Sequence, residues 1–166
     1  VQLIKLKILS INKDIGKNYI NWMNDPKIHK YTEQKYEKHT KLKIKKFVKK
    51  VNQSKNNILY GIFAKNIHIG NIKLGNINKI HKTADISYFI GEEKYMGKGY
   101  TTIAIKLILA YSKKIGLKKI NAGCYSVNKA SIKVLRKNGF KREGVLKKQI
   151  LFKKKRYDQY LFGKLI

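Results

Sequence analysis

The chain has 166 residues, 43% of them hydrophobic, which suffices for one domain with its own core. Its longest apolar run, Ile103 to Tyr111, is broken by Lys106 and is far too short to cross a bilayer, and its single cysteine, Cys124, excludes an internal disulfide and any multi-cysteine metal site. The formal charge of +30 comes from 39 Lys and Arg against 9 Asp and Glu, yet only Arg136, Arg142 and Arg156 are arginines and lysines occur in every segment.

That spread, beside many Ile and Asn, matches the amino-acid usage of an AT-rich genome. A chain built to grip nucleic acid more often clusters its charge and uses Arg for bidentate contacts. Nucleic acid and membrane are therefore not the expected partners, although a positive field recruits polyanionic small ligands. The opening "VQLIKLKILSINKD" interleaves Lys with apolar residues and lacks the continuous apolar run of a secretion signal, so a reducing, cytoplasmic setting is expected.

Val1 to Leu9 alternates like a first strand. Ser10 or Asn12 can cap a helix to about Asn24, with Ile15, Tyr19, Ile20 and Trp22-Met23 as its apolar side. "NDP" (Asn24 to Pro26) stops it, and a short turn follows to Tyr31. "TEQKYEKHT" (Thr32 to Thr40) has no period and reads as a loop, after which Thr40 starts a second helix to about Val51. "ILYGIFA" and "IHIGNIKLG" read as strands around a Lys65-Asn66 hairpin turn, and "ADISYFIG" (Ala84 to Gly91) as a third strand of that meander. A helix follows from about Tyr100 to Lys114, stopped at Gly116, then the strand "LKKINAGCYSV", then a helix from Asn128 to its cap at Gly139. "FKREGVLKKQIL" and "KRYDQYLFGKL" close the chain as strands joined by the basic turn Lys153 to Arg156. This order, without repeat or linker, predicts a mixed α/β sheet in a single domain over residues 1–166.

Gly97-Lys98-Gly99 stands between a strand and the best helix of the chain. At such a junction the first helical N–H groups are unpaired and lie at the positive end of the helix dipole. Glycines there let a ligand reach the backbone, which describes a phosphate cradle. The P-loop pattern fails because Tyr100 follows Gly99, and the dinucleotide fingerprint fails because Thr102 stands where a third Gly is needed. What remains is Lys94-x-x-Gly97-x-Gly99 ahead of a helix.

With "NKASIKVLRKNGFKREG" downstream, this stretch resembles the GNAT superfamily of acetyl-CoA-dependent N-acetyltransferases. Lys94 replaces the usual Arg or Gln of that superfamily's Arg/Gln-x-x-Gly-x-Gly/Ala signature, and Asn128, Ser131, Lys137, Gly139 and Phe140 complete its second segment. "WMNDPKIHKY" is similar to the branch holding ribosomal-protein N-terminal and many amino-sugar acetyltransferases. The resemblance implies the acyl-CoA N-acyltransferase fold: a twisted, mostly antiparallel sheet, splayed between its fourth and fifth strands, with helices on both faces. It also implies that the pyrophosphate of coenzyme A lies on the backbone of Met96, Gly97, Lys98, Gly99, Tyr100 and Thr101. Ile90 and Gly91 would pair with the pantetheine amides, and Asn128 would bond that arm while also fitting a plain helix N-cap.

The implied chemistry is direct attack of an amine on the thioester in a ternary complex. Many family members carry an acidic Tyr where this chain has Leu135; Ser131 is the remaining candidate proton donor. Candidate bases are Asp85, Glu33 and His39, and a water chain would also serve. Cys124 reads as packing rather than nucleophile. Tyr31, Glu33, Tyr36, Glu37 and His39 would wall the acceptor cleft. The expected partners are acetyl-CoA, with no metal, and a small-molecule or peptide amine. A nucleotide-linked amino sugar is favoured, and a protein N-terminus is the alternative within the class. A non-catalytic basic nucleic-acid-binding module is the alternative from another class, and a homodimer is left open.

Overall fold

Alternating apolar residues in a strand face opposite sides of a sheet, so the meander sorts its side chains into two cores. The computed structural model describes residues 3–166. The first strand forms as β1 (Ile4–Ile8), with Val1 and Gln2 outside the described residues. β2 (Ile58–Ala64) and β3 (Ile67–Asn78) turn through Lys65 and Asn66, at φ 46° and 66°. Two positive φ values in a two-residue loop match the twist of the flanking strands. β3 runs past Gly75, the end expected for it, because an irregularity at Asn76 (φ 50°) lets pairing resume at Asn78. β4 (Thr83–Ile90) completes the meander. Then follow α3 (Tyr100–Lys114), β5 (Lys119–Tyr125), α4 (Lys129–Lys137), β6 (Lys141–Phe152) and β7 (Lys155–Leu165), after α1 (Lys17–Asn24) and α2 (Lys41–Asn52) earlier in the chain.

The first helix begins later than its cap candidates suggest. The Asp14 carboxylate accepts the Ser10 N–H at 2.6 Å, and Asp14 N–H donates to Ser10 O at 2.9 Å. Those bonds close residues 11–14 into a turn of their own, the usual competition of short polar side chains with helix. α1 starts only after Gly16, without a side-chain cap. Thr40, by contrast, caps α2 as expected, accepting the Lys43 N–H at 3.2 Å.

The strands form one sheet in the order β1-β2-β3-β4-β5-β7-β6, antiparallel throughout except for the parallel pair β4–β5. Ile62, Ala64, Ile72, Leu74, Ile86 and Ile120 pack with α3 and α4. Leu59 and Phe63 pack with α1 and α2 on the other face, joined by Phe89. Ile105 and Ile108 of α3 are fully buried, each contributing about 1.5–3 kcal/mol by removal from water. The β4–β5 pairing covers only Thr83–Lys119, Ala84–Ile120 and Asp85–Asn121. Beyond it β4 continues to Ile90 and β5 to Tyr125, so the sheet opens into a fork.

Candidate active site

The glycine turn sits at the open end of this fork. Gly97 (φ 69°) and Gly99 (φ 84°) both occupy the left-handed region, which an L side chain enters only at a cost. A Cβ at Gly97 would meet nothing within 4 Å, so the space over that backbone is open. Helix α3 has no side-chain cap and no acidic residue in its first turn. Its first hydrogen bond runs from Ile103 N–H to Gly99 O, which leaves the amides of Tyr100, Thr101 and Thr102 without an intrahelical partner. The Tyr100 side chain turns inward against Tyr95 at 5.1 Å, and Met96 and Lys98 are exposed. An uncapped 15-residue helix behind two left-handed glycines fits an anionic group that supplies the missing acceptors.

Along β4 the ladder decides which polar groups are free. Gly91 N–H donates to Ile69 O at 2.8 Å, so it is engaged by β3. Antiparallel alternation then turns the main-chain groups of Ile90 and Tyr88 toward the edge that β5 has left. Gly91 is glycine for a different reason, since a Cβ there would run into the Trp22 indole. On the opposite arm Asn128 caps α4, its Oδ1 accepting the Ser131 N–H at 3.2 Å while its Nδ2 stays available as a donor. Ser131 Oγ lies 3.0 Å from the Tyr88 hydroxyl, linking α4 to β4 across the fork. Burial pushes the Tyr88 phenol up to about 12, with the Ser131 bond opposing, so it stays protonated. Burial also raises the Cys124 thiol beside Ser131, which keeps it in the non-nucleophilic form. Sequence reading did not single out Tyr88, because its partner lies 43 residues away.

The acidic and aromatic residues divide between two places. Glu33 accepts the Tyr125 O–H at 2.6 Å, and Tyr31 packs on Tyr125 and Phe152 at 6.0 and 5.5 Å. Burial raises the Tyr125 hydroxyl, so it is the donor in that bond. The loop after α1 is thereby clamped to β5 and to the tip of the β6–β7 hairpin, with Lys35 Nζ over the Tyr125 ring at 5.1 Å. Tyr36 projects outward, two thirds exposed (67%).

Asp85 is held by Asn76 Nδ2 at 2.8 Å and Asn121 Nδ2 at 3.4 Å, in a cavity of about 380 Å3 that Glu143 and Gln159 also line. It stands three residues from Tyr88 on the opposite face of β4, about 10 Å along the strand. Asp85 and the Ser131 hydroxyl are therefore not brought together.

His39 is the residue of the expected acceptor wall that lines the larger cleft, together with Glu37. This cleft, about 540 Å3, lies between α2, the loop after α1, and the β3–β4 ladder, and Ser87, Tyr88 and Phe89 form its floor. Lys43, Lys46 and Lys73 line it against the single carboxylate of Glu37. His39 Nε2 is 3.1 Å from Gln34 O, and since a carbonyl only accepts, that nitrogen carries the ring proton. Sequence reading missed His29, 2% exposed on the same wall. Burial and then His39 hold its imidazole below the usual range.

The fold and this arrangement agree with what the chain matches. The chain belongs to the GNAT acetyltransferase family, whose domain it matches over residues 6–141. A ribosomal-protein-serine acetyltransferase of Escherichia coli (strain K12) is 33% identical over 110 residues, 65% of this chain and 60% of that protein. A probable N-acetyltransferase of Bacillus subtilis (strain 168) is 37% identical over 70 residues, 42% of this chain and 38% of that protein. The matches to curated relatives span between 38% and 64% of those proteins' own length. Among solved structures, the microcin C7 self-immunity acetyltransferase in complex with acetyl-CoA and AMP has a TM-score of 0.85 at 26% identity, over 98% of this chain and 92% of that one. No helix among the described residues is long and apolar enough to cross a membrane.

Proposed function

We propose that residues 1–166 act as one acetyl-CoA-dependent N-acetyltransferase unit, moving the acetyl group to a primary amine by direct attack in a ternary complex. The observation that carries this reading is the fork itself. It has unpaired amides at the α3 N-terminus, free main-chain groups of Ile90 and Tyr88 on one arm, and Asn128 and Ser131 on the other. The pyrophosphate of the donor would rest on the backbone from Met96 to Thr101, its pantetheine between the two arms, and Asn128 Nδ2 on a pantetheine carbonyl. The thioester carbonyl would be polarised by a main-chain N–H of β4 as its oxygen gains charge. The attacking nitrogen forms the C–N bond, the C–S bond breaks, and the Ser131 hydroxyl delivers a proton to the departing thiolate.

The acceptor enters from the 540 Å3 cleft on the α1–α2 face, whose floor includes Tyr88. Three lysines against one carboxylate favour an amine that carries phosphate, such as a nucleotide-linked amino sugar. The AMP bound with acetyl-CoA in the microcin C7 self-immunity enzyme supports that preference. A protein N-terminal amine is the second reading, favoured by the likeness to the ribosomal-protein-serine enzyme. A screen following free thiol from acetyl-CoA across amino-sugar nucleotides, polyamines and N-terminal peptides separates these readings. Turnover confined to peptides would remove the amino sugar.

A further inference from the structure

Each base candidate read from the sequence is already engaged: Asp85 by two asparagines in the other cavity, Glu33 by Tyr125, and His39 with its Nε2 proton on Gln34 O. His29 is different. Its Nδ1 lies 3.2 Å from Thr32 Oγ1, and the Thr32 hydroxyl donates to His29 O at 3.3 Å. With its single proton on His29 O, the Thr32 hydroxyl accepts towards the ring, an arrangement that sets the hydrogen on Nδ1. Nε2 is left with a lone pair and no partner among the described residues. Asn71 Nδ2, by contrast, faces the Tyr19 hydroxyl as a donor, and its Oδ1 lies 2.8 Å from His68 Nε2. The His29 ring packs on Phe89 at 5.2 Å, so the unmatched acceptor stands beside an aromatic ring of the cleft. Most buried polar groups find a partner in protein, ordered water or a ligand, and this one faces a cleft large enough to admit one.

Resting on the acetyl-transfer reading above, we propose that His29 Nε2 accepts the proton of the acceptor's ammonium group. The ammonium N–H bond breaks, and its electron pair stays on nitrogen and attacks the thioester carbon. The proton subsequently lost from that nitrogen passes to the thiolate through Ser131. His29 returns its own proton to solvent, so one proton is released per turnover. A neutral imidazole is needed at the start, and burial favours that form. Around His29 stand Asp25, Glu37 and His39 of its own segment, the Trp22 backbone carbonyl, which favours the charged ring, Lys43 and Lys46 of α2, Lys73 of β3, and the phenol of Tyr19, which ionises only at about 12.

Two measurements test this. Imidazole NMR on the wild-type chain, with no acceptor present, should show His29 as the Nδ1–H tautomer, titrating below the ordinary histidine range. The Nε2–H tautomer or an ordinary titration overturns the proposal, whatever the activity. The second is the pH profile of kcat/KM with a nucleotide-linked amino sugar as acceptor. Wild type should be flat between the His29 pKa and that of the amine. His29→Gln should fall about 100-fold at pH 7 and then rise with unit slope toward the amine pKa, since only amine already neutral in solution reacts. His29→Asn serves if circular dichroism shows that Gln does not fold. A variant that keeps the wild-type plateau overturns the proposal. Absence of acetyl-CoA binding and turnover in the wild type would instead refute the functional reading, with the NMR result standing on its own.

Discussion

Gly97→Ala separates the two reasons for a glycine at the head of α3. Gly97 is at φ 69°, and a Cβ there meets no protein atom within 4 Å. In the ligand-free protein the substitution therefore costs only left-handed strain, about 1–2 kcal/mol. Gly116 provides an internal control at the other end of the same helix, with φ 85° and nothing within 4 Å of its Cβ. Both alanine variants should lower Tm by a similar amount, about 2–8 °C at roughly 2–4 °C per kcal/mol for a chain of this size. Only Gly97→Ala places a methyl group where the pyrophosphate is proposed to lie. Calorimetry with acetyl-CoA should then show Kd weakened at least about tenfold, some 1.4 kcal/mol, in Gly97→Ala and unchanged in Gly116→Ala. Equal, undiminished affinity in both would reduce Gly97 to a turn residue and refute the cradle.

Other outcomes follow from the same geometry. Ser131→Ala should lower kcat while the Kd for acetyl-CoA stays nearly constant, and wild-type turnover would eliminate Ser131 as the acid. Gly91→Ala should destabilise by about 1–3 kcal/mol through overpacking on Trp22, seen as a lowered Tm and altered indole fluorescence. The imidazoles of His29 and His68 are both held low, chiefly by burial. Between their folded-state pKa values and the ordinary 6.5, the unfolded chain binds more protons than the native one. Stability should thus be full above pH 6.5 and decline as pH falls below it. Thermal unfolding from pH 8 to 5 checks this, and His29→Gln should flatten part of the slope.

How far the sequence reveals this site depends on the distance over which each contact acts. The meander, the Lys65-Asn66 turn, the glycine turn and the Asn128 cap are local, and local patterns reveal them. The fork was expected from the family motifs and forms because β4 and β5 stop pairing after Asp85–Asn121. The first helix starts later than its cap candidates suggest because Ser10 and Asp14 close a turn that competes with its first residues. The partners of Asp85 and Glu33 are set by pairing rather than by local pattern: Asn76 reaches Asp85 across the β3–β4 ladder, Asn121 is 36 residues from Asp85, and Tyr125 is 92 from Glu33. His29 drew no notice within "NDPKIHKY", since only the packing of that turn on Phe89 sets its ring on the cleft wall.

The most direct test of the central proposal is an initial-rate study in which acetyl-CoA and the amine are varied together, with the acetylated amine measured by mass spectrometry beside free thiol. Direct transfer in a ternary complex gives one thiol released per amine acetylated, intersecting double-reciprocal lines, and no acetyl group on the protein. Acetyl-CoA left intact with every amine tried, or parallel lines with acetyl trapped on Cys124, would contradict it.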